Sequence, residues 1–207
     1  MSDIAVVGQF AGSIALGSVG SCTTLVSLFT GLLIGMGGGI NAIAARYMGA
    51  DDNDNIKRTV HTAFILSLIY GIAVMIFGLF SVEGILGLLG TKEELMDGAV
   101  LYMKVYLLGT PALALYNFGN GVLSASGDSK RSLYYLLTAG ILNIILNLFF
   151  VIVCNLSVLG VALASAISQY VSAGLVMIHM FHSDKCYSMS LADMKINTHI
   201  FKNIFVL

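Results

Sequence analysis

Four stretches of this chain carry no Asp, Glu, Lys or Arg at all, and they restrict the fold more than any other feature. They run from Ile4 to Ala45, Thr59 to Val82, Val105 to Gly127 and Ser132 to Ser183. A bilayer's hydrocarbon core is about 30 Å thick and a helix rises about 1.5 Å per residue, so roughly 20 apolar residues make one crossing. Each stretch is long enough. A soluble domain holds about 25% charged residues, whereas this one has 10% charged and 57% hydrophobic residues over its 207 positions. With 23 Gly, one Pro and no Trp, the composition suits helices that pack through small residues. A membrane β-barrel would instead show alternating segments of roughly ten residues. The pattern therefore predicts an all-α integral membrane protein, a polytopic helical bundle.

The breaks divide the chain. Gly8, Gly12 and Ser13 separate a helical stub, residues 1–9, from a first full span at about 16–45. Further spans are expected at about 56–80, 92–126, 133–153 and 161–181, with Ser81 to Gly90 as a surface loop. Thr91 and Glu94 have capping-box spacing at the start of the 92–126 span, and Pro111 can kink that span and leave a carbonyl free. Residues 183–207 read as a cytoplasmic linker leading into another helix, whose apolar stripe is Ile196, Ile200, Phe201, Ile204 and Phe205. Both ends read as cut, so the chain is expected to be a fragment of a longer protein. No positively charged region precedes the first apolar run, so no removable signal peptide is evident and insertion would depend on the spans. Arg46, Lys57, Arg58, Lys130, Arg131, Lys185, Lys195 and Lys202 fall on one side of five alternating crossings, against Lys92 and Lys104 on the other. Eight against two places the segments near 46–58, 127–132 and 183–203 in the cytoplasm, which fits a multi-pass protein of the cell membrane.

Several function classes recede on the same evidence. The net charge of -1 gives no reason to expect a nucleic-acid partner. Cys22, Cys154 and Cys186 are odd in number and form no C-x-x-C pair, so they act as small apolar fillers. Asp51, Asn53 and Asn55 imitate the start of a calcium loop, but Ile56 and Thr62 stand where Gly and Glu are needed; a solvated turn with a helix cap is the better reading. His179, His182 and Cys186 straddle a helix end and lack a fourth partner for structural zinc. No nucleophile motif, phosphate loop or carboxylate pair for an enzyme is present, and no cofactor or metal centre is expected.

Polar groups inside lipid are costly, so they mark where a transport pathway would run. Asn143 and Asn147 are four residues apart and share a helix face. Asn117 and Asn120 on the preceding span make a similar pair, as do Ser165 and Gln169 on the following one. Their oxygens can ligate a hard cation such as sodium, or they can hydrogen-bond between packed helices. Asp3 is the one carboxylate within an apolar run: with a helix upstream it is an intramembrane candidate to bind a proton or cation, and as a true terminus it is a solvated end. Pro111, Asn117 and Gln169 are candidates to line a substrate cavity, Pro111 also being explicable by packing alone. Gly31, Gly35 and Gly39 make a smooth face for close helix packing.

The segments SDIAVVGQFAGS, IAARYMGADD with KRTVHTA after it, LYNFGNGVLSASGDSKRSLYYL, ILNIILNLFFVIV and GVALASAISQ, in this order and spacing, resemble the bacterial multidrug and toxic compound extrusion (MATE) family. The resemblance covers essentially the whole chain. It implies the first six-helix lobe of a two-lobe, twelve-helix transporter, with most of the first helix missing. It also implies export of drugs or other organic cations by alternating access, in antiport with sodium or protons, which would serve as coupling ions. The partners so implied are small organic cations, the bilayer and the missing C-terminal lobe. By the same resemblance Asp3, Asn120, Asn143, Asn147 and Ser165 match a cation-responsive cluster. Asn147 departs from the acid found there, and a neutral amide can ligate sodium but cannot take up a proton. A flippase for a lipid-linked substrate, with basic residues along its cavity, and a non-transporting scaffold or membrane enzyme are the alternatives.

Overall fold

A computed structural model describes residues 2–190, 197–198 and 200–201. Among these the regular structure is helical: α1 (Ser2–Phe10), α2 (Ser13–Ser21), α3 (Thr23–Gly49), α4 (Asn53–Leu88), α5 (Glu93–Leu107), α6 (Thr110–Ala125), α7 (Ser129–Leu148) and α8 (Ser157–Phe181), with a π turn, Phe149–Val153, ending α7. Four helical segments are long and apolar enough to cross a membrane, or five if α5 and α6 together form one bent span. The exposed side chains include Phe80, Leu88, Phe77, Ile141 and Val153, a surface that only lipid accommodates at low cost.

The breaks follow backbone chemistry. Gly12, at φ 88°, separates α1 from α2, a conformation glycine adopts without steric cost. The stub is thus real, but the span expected at 16–45 is two helices meeting at Cys22, together Ser13–Gly49. The loop expected at Ser81 to Gly90 is a correction: α4 continues to Leu88. Val82 and Leu86, one turn apart, are fully buried, so the apolar face runs on and the helix with it. The expected capping box is also absent. Thr91 donates its N–H back to Leu86 C=O at 3.1 Å and so finishes α4, while α5 starts after Lys92 without a side-chain cap. At the other end of α4 the solvated turn does carry a cap, with Asp52 accepting from the Asn55 N–H at 3.1 Å and from Asn55 Nδ2 at 2.7 Å.

The span expected at 92–126 bends by 47° between α5 and α6. Pro111 stands in the first turn of α6, where its missing N–H costs nothing. The carbonyls released at the bend are recovered by side chains: Thr110 Oγ1 donates to Leu107 C=O at 2.7 Å and Tyr170 Oη to Leu108 C=O at 2.9 Å. Helix α6 forms the centre, packed against α3, α4, α7 and α8. Its close backbone approaches use Gly121 against the Gly37 carbonyl and Gly71 against Pro111. The close crossing therefore uses Gly37 and not the expected face, since a Cβ on Gly31 or Gly35 would meet nothing within 4 Å. Of the stripe expected near the C-terminus, Ile196, Ile204 and Phe205 lie outside the described residues; Ile200 is buried and Phe201 exposed.

Candidate ion-binding site

Asp3 lies in the first turn of α1, where a carboxylate is favoured by the helix dipole, and only 7% of it is exposed. Four side chains converge on it, three of them from other helices. Tyr102 Oη on α5 donates to Asp3 Oδ2 at 2.8 Å, and Ser165 Oγ on α8 donates to the same oxygen at 2.7 Å. Asn147 Nδ2 on α7 donates to Asp3 Oδ1 at 3.0 Å. The Ser2 hydroxyl is shared between Asn143 Oδ1 at 2.6 Å and Asp3 Oδ1 at 3.3 Å. Asn143 completes the ring, donating to Ser165 Oγ at 3.1 Å and accepting from Asn147 Nδ2 at 3.2 Å.

This arrangement satisfies a buried carboxyl group with hydrogen bonds from neutral side chains. A carboxylate taken out of water must be paired or hydrogen-bonded, and an ionised one has about four acceptor sites. The donors occupy them. One group is left over: Asn147 is 0% exposed and its Oδ1 has no hydrogen-bond partner. A buried amide oxygen without a donor costs about 1–3 kcal/mol, and its chemistry, a neutral oxygen beside a carboxylate, is that of a ligand for a hard cation.

Asp3, Tyr102, Asn143 and Ser165 line a groove of about 690 Å³ that runs along α7 and α8. Leu136, Leu137, Ile141 and Ile144 supply its apolar wall, and Ser168, Gln169 and Ser172 a polar edge on α8. No Lys, Arg or His is among its lining residues. The sequence candidates are thus only partly united. Asp3, Asn143, Asn147 and Ser165 form one network, and Gln169 lines the adjoining groove. Asn120 is not part of that network: its Oδ1 accepts from Ser132 Oγ at 2.6 Å. With Asn117 it lines a second cavity of about 350 Å³ against α3, beside Asn41, Gly37 and Gly121. Pro111 lines neither cavity and packs on Gly71.

Tyr102 and Ser2 were not legible as site residues. Tyr102 and Tyr106 do share a face of α5, four residues apart, with rings stacked at 6.1 Å, but aromatic pairs on apolar helices are ordinarily core. Among the described residues no three His, Cys, Asp or Glu come together as a metal site. His179 faces Arg131 Nη1, at 3.2 Å from its Nε2, and the Tyr187 hydroxyl at 3.3 Å.

The MatE family profile matches residues 1–149. The chain belongs to the MatE family. MatE proteins are membrane transporters rather than enzymes. Among relatives, the multidrug export protein MepA of Staphylococcus saprophyticus is 30% identical over 175 residues, covering 84% of this chain and 38% of that protein. The probable multidrug resistance protein YpnP of Bacillus subtilis is 29% identical over 163 residues, 79% of this chain and 37% of that protein. The crystal structure of MATE in the bent conformation superposes with a TM-score of 0.93 at 28% identity, over 99% of this chain and 46% of the solved one. The MatE chain described here thus spans under half the length of the proteins it matches.

Proposed function

We propose that this chain is the first lobe of a two-lobe MatE exporter that exchanges a sodium ion or proton for drugs or other organic cations. The observation that carries the reading is the buried Asp3 carboxylate, held by side chains from α1, α5, α7 and α8 with no basic group in the adjoining groove. On this reading a sodium ion or a proton is what the carboxyl group takes up. Binding one would draw the Asp3, Asn143 and Ser165 oxygens inward and re-aim the hydroxyls of Ser2 and Tyr102. Because those groups sit on separate helices, occupancy biases the packing of the lobe and, through it, the affinity of a central cleft for its substrate. The unpartnered Asn147 oxygen favours sodium, which takes oxygen ligands, over a proton.

The groove supports the rest of the domain reading. Helix α1 has nine residues, about 14 Å of helix at 1.5 Å per residue, against the ~30 Å a crossing needs. Its first residues, Ser2 and Asp3, open directly into the groove. On this reading residues 1–182 belong to the first lobe, residues 183–207 lead toward a second one, and the basic turns at 46–58 and 127–132 face the cytoplasm of a cell that exports across its plasma membrane. A flippase reading finds no basic cavity lining to support it.

The test is uptake and release of a cationic dye by the full-length protein in proteoliposomes, driven separately by sodium and by proton gradients. Asp3→Asn should abolish ion-driven transport. Unchanged efflux at normal expression sinks the assignment.

A further inference from the structure

The chain does not leave the bundle where α8 ends. After His182 the backbone turns back across the neighbouring ends of α4, α6 and α8, and Tyr187 and Met189 enter a core built from Ile56, Val60, Val122 and Met180 among others. Tyr187 is wholly buried, although no helix or strand carries it. Three separate elements hold this strap. From α8, the Met180 carbonyl accepts the Met189 N–H at 3.1 Å, and His179 meets the Tyr187 hydroxyl at 3.3 Å. At the turn before α7, Asp128 Oδ2 takes Lys185 Nζ at 3.4 Å and Arg131 Nε at 3.2 Å. On α4, two consecutive buried side chains act as acceptors for the strap's backbone: His61 Nε2 takes the Ser190 N–H at 3.2 Å, and Thr62 Oγ1 takes the Asn197 N–H at 3.0 Å.

A backbone N–H withdrawn from water must find a partner, and here helix α4 supplies two from neighbouring positions. His61 can accept at Nε2 only as the neutral ring carrying its proton on Nδ1. Ile200 lies in the same core and is 1% exposed. A swing at the end of α8 would have to draw Tyr187 out of its core and break the bonds to Met180, His61 and Asp128 together.

We propose that the strap as far as Ser190 moves with α3–α8 as one rigid body, so that the joint for alternating access does not lie at the end of α8. The inference rests on the two-lobe reading, since a joint requires something to swing. Tyr187 is its peg and His61 its latch.

Amide hydrogen exchange on the full-length protein in lipid nanodiscs tests this, with and without saturating sodium and at two pH values. Met189 and Ser190 amides should exchange about 100-fold or more slower than free chain in every condition. His61→Ala should remove protection at Ser190 and leave Met189 protected, while His61→Gln, which keeps an acceptor, should retain both. Free-chain exchange of Met189 and Ser190 in any condition in which α8 stays protected overturns the proposal. So does protection of Ser190 that His61→Ala leaves untouched. Failure of the two-lobe exporter reading would show differently, as unchanged ion-driven efflux by Asp3→Asn with the strap still protected.

Discussion

Where α3 crosses α6, the backbone of one helix lies directly against a glycine of the other, and this crossing offers a quantitative test of the packing. A Cβ placed on Gly121 would lie 2.6 Å from the Gly37 carbonyl oxygen, whereas 3.4 Å is the onset of ordinary contact. The deficit is about 0.8 Å, and the obstructing atom is backbone, so no rotamer change relieves it. Gly121→Ala therefore has to push α6 off α3. Overpacking of this kind costs about 1–3 kcal/mol, offset in part by the ~1 kcal/mol that alanine gains over glycine inside a helix. Gly35→Ala on α3 is the matched control. It gains the same helix propensity but its Cβ meets nothing within 4 Å. The difference between the two variants isolates the crossing, and at roughly 2–4 °C per kcal/mol it should appear as a melting-temperature gap of about 2–12 °C. Thermal unfolding of the purified full-length protein, followed by monodispersity in detergent, measures it. Equal melting temperatures for Gly121→Ala and Gly35→Ala would refute the close crossing.

Other expectations follow from single contacts. Asn147→Ala removes the unpartnered oxygen at the Asp3 network, so half-saturating sodium should rise about tenfold or more; an unchanged sodium dependence in the dye assay would mean that this oxygen is not a ligand. Gly71→Ala places a Cβ 2.8 Å from Pro111 Cα and should destabilise far more than Gly84→Ala on the same helix, which meets open space; comparable melting temperatures would count against the contact. The hydrogen bonds from the Asn55 side chain and backbone, with the attraction of Arg58 behind them, hold the Asp52 carboxyl below its ordinary range. A depressed carboxylate contributes above its unfolded value of about 4 and loses that contribution as pH falls through the lower folded value. Exchange at the Asn55 and Ile56 amides should therefore be constant from neutral pH to about pH 5 and accelerate, relative to the unfolded rate, below about pH 4. Asp52→Asn should keep the cap and lose that pH dependence.

The uncharged stretches determined the class of this protein unaided. Hydrophobic length counts residues, and a bilayer's thickness converts that count into crossings whatever the tertiary arrangement. For the same reason the glycine break at Gly12, the cap before α4 and the interruption near Pro111 were legible, each being a local backbone demand. Boundaries failed where a local signal met a longer-range one. The buried pair Val82 and Leu86 carried α4 through a segment that looked like loop, and the end of α4 took Thr91 away from the next helix. The site was half legible. Asn143 and Asn147 share a face by helical period alone, but nothing local says which helices that face meets. Tertiary packing brought Asp3 to it across 144 residues of chain and joined Tyr102 and Ser165 to Asp3 across 99 and 162, and turned Asn120, three residues after Asn117, toward Ser132 instead. Periodicity fixes direction around one helix axis, whereas a binding site depends on the rotation and depth of several helices at once. Those are settled only when Gly37, Gly71 and Gly121 let the backbones touch.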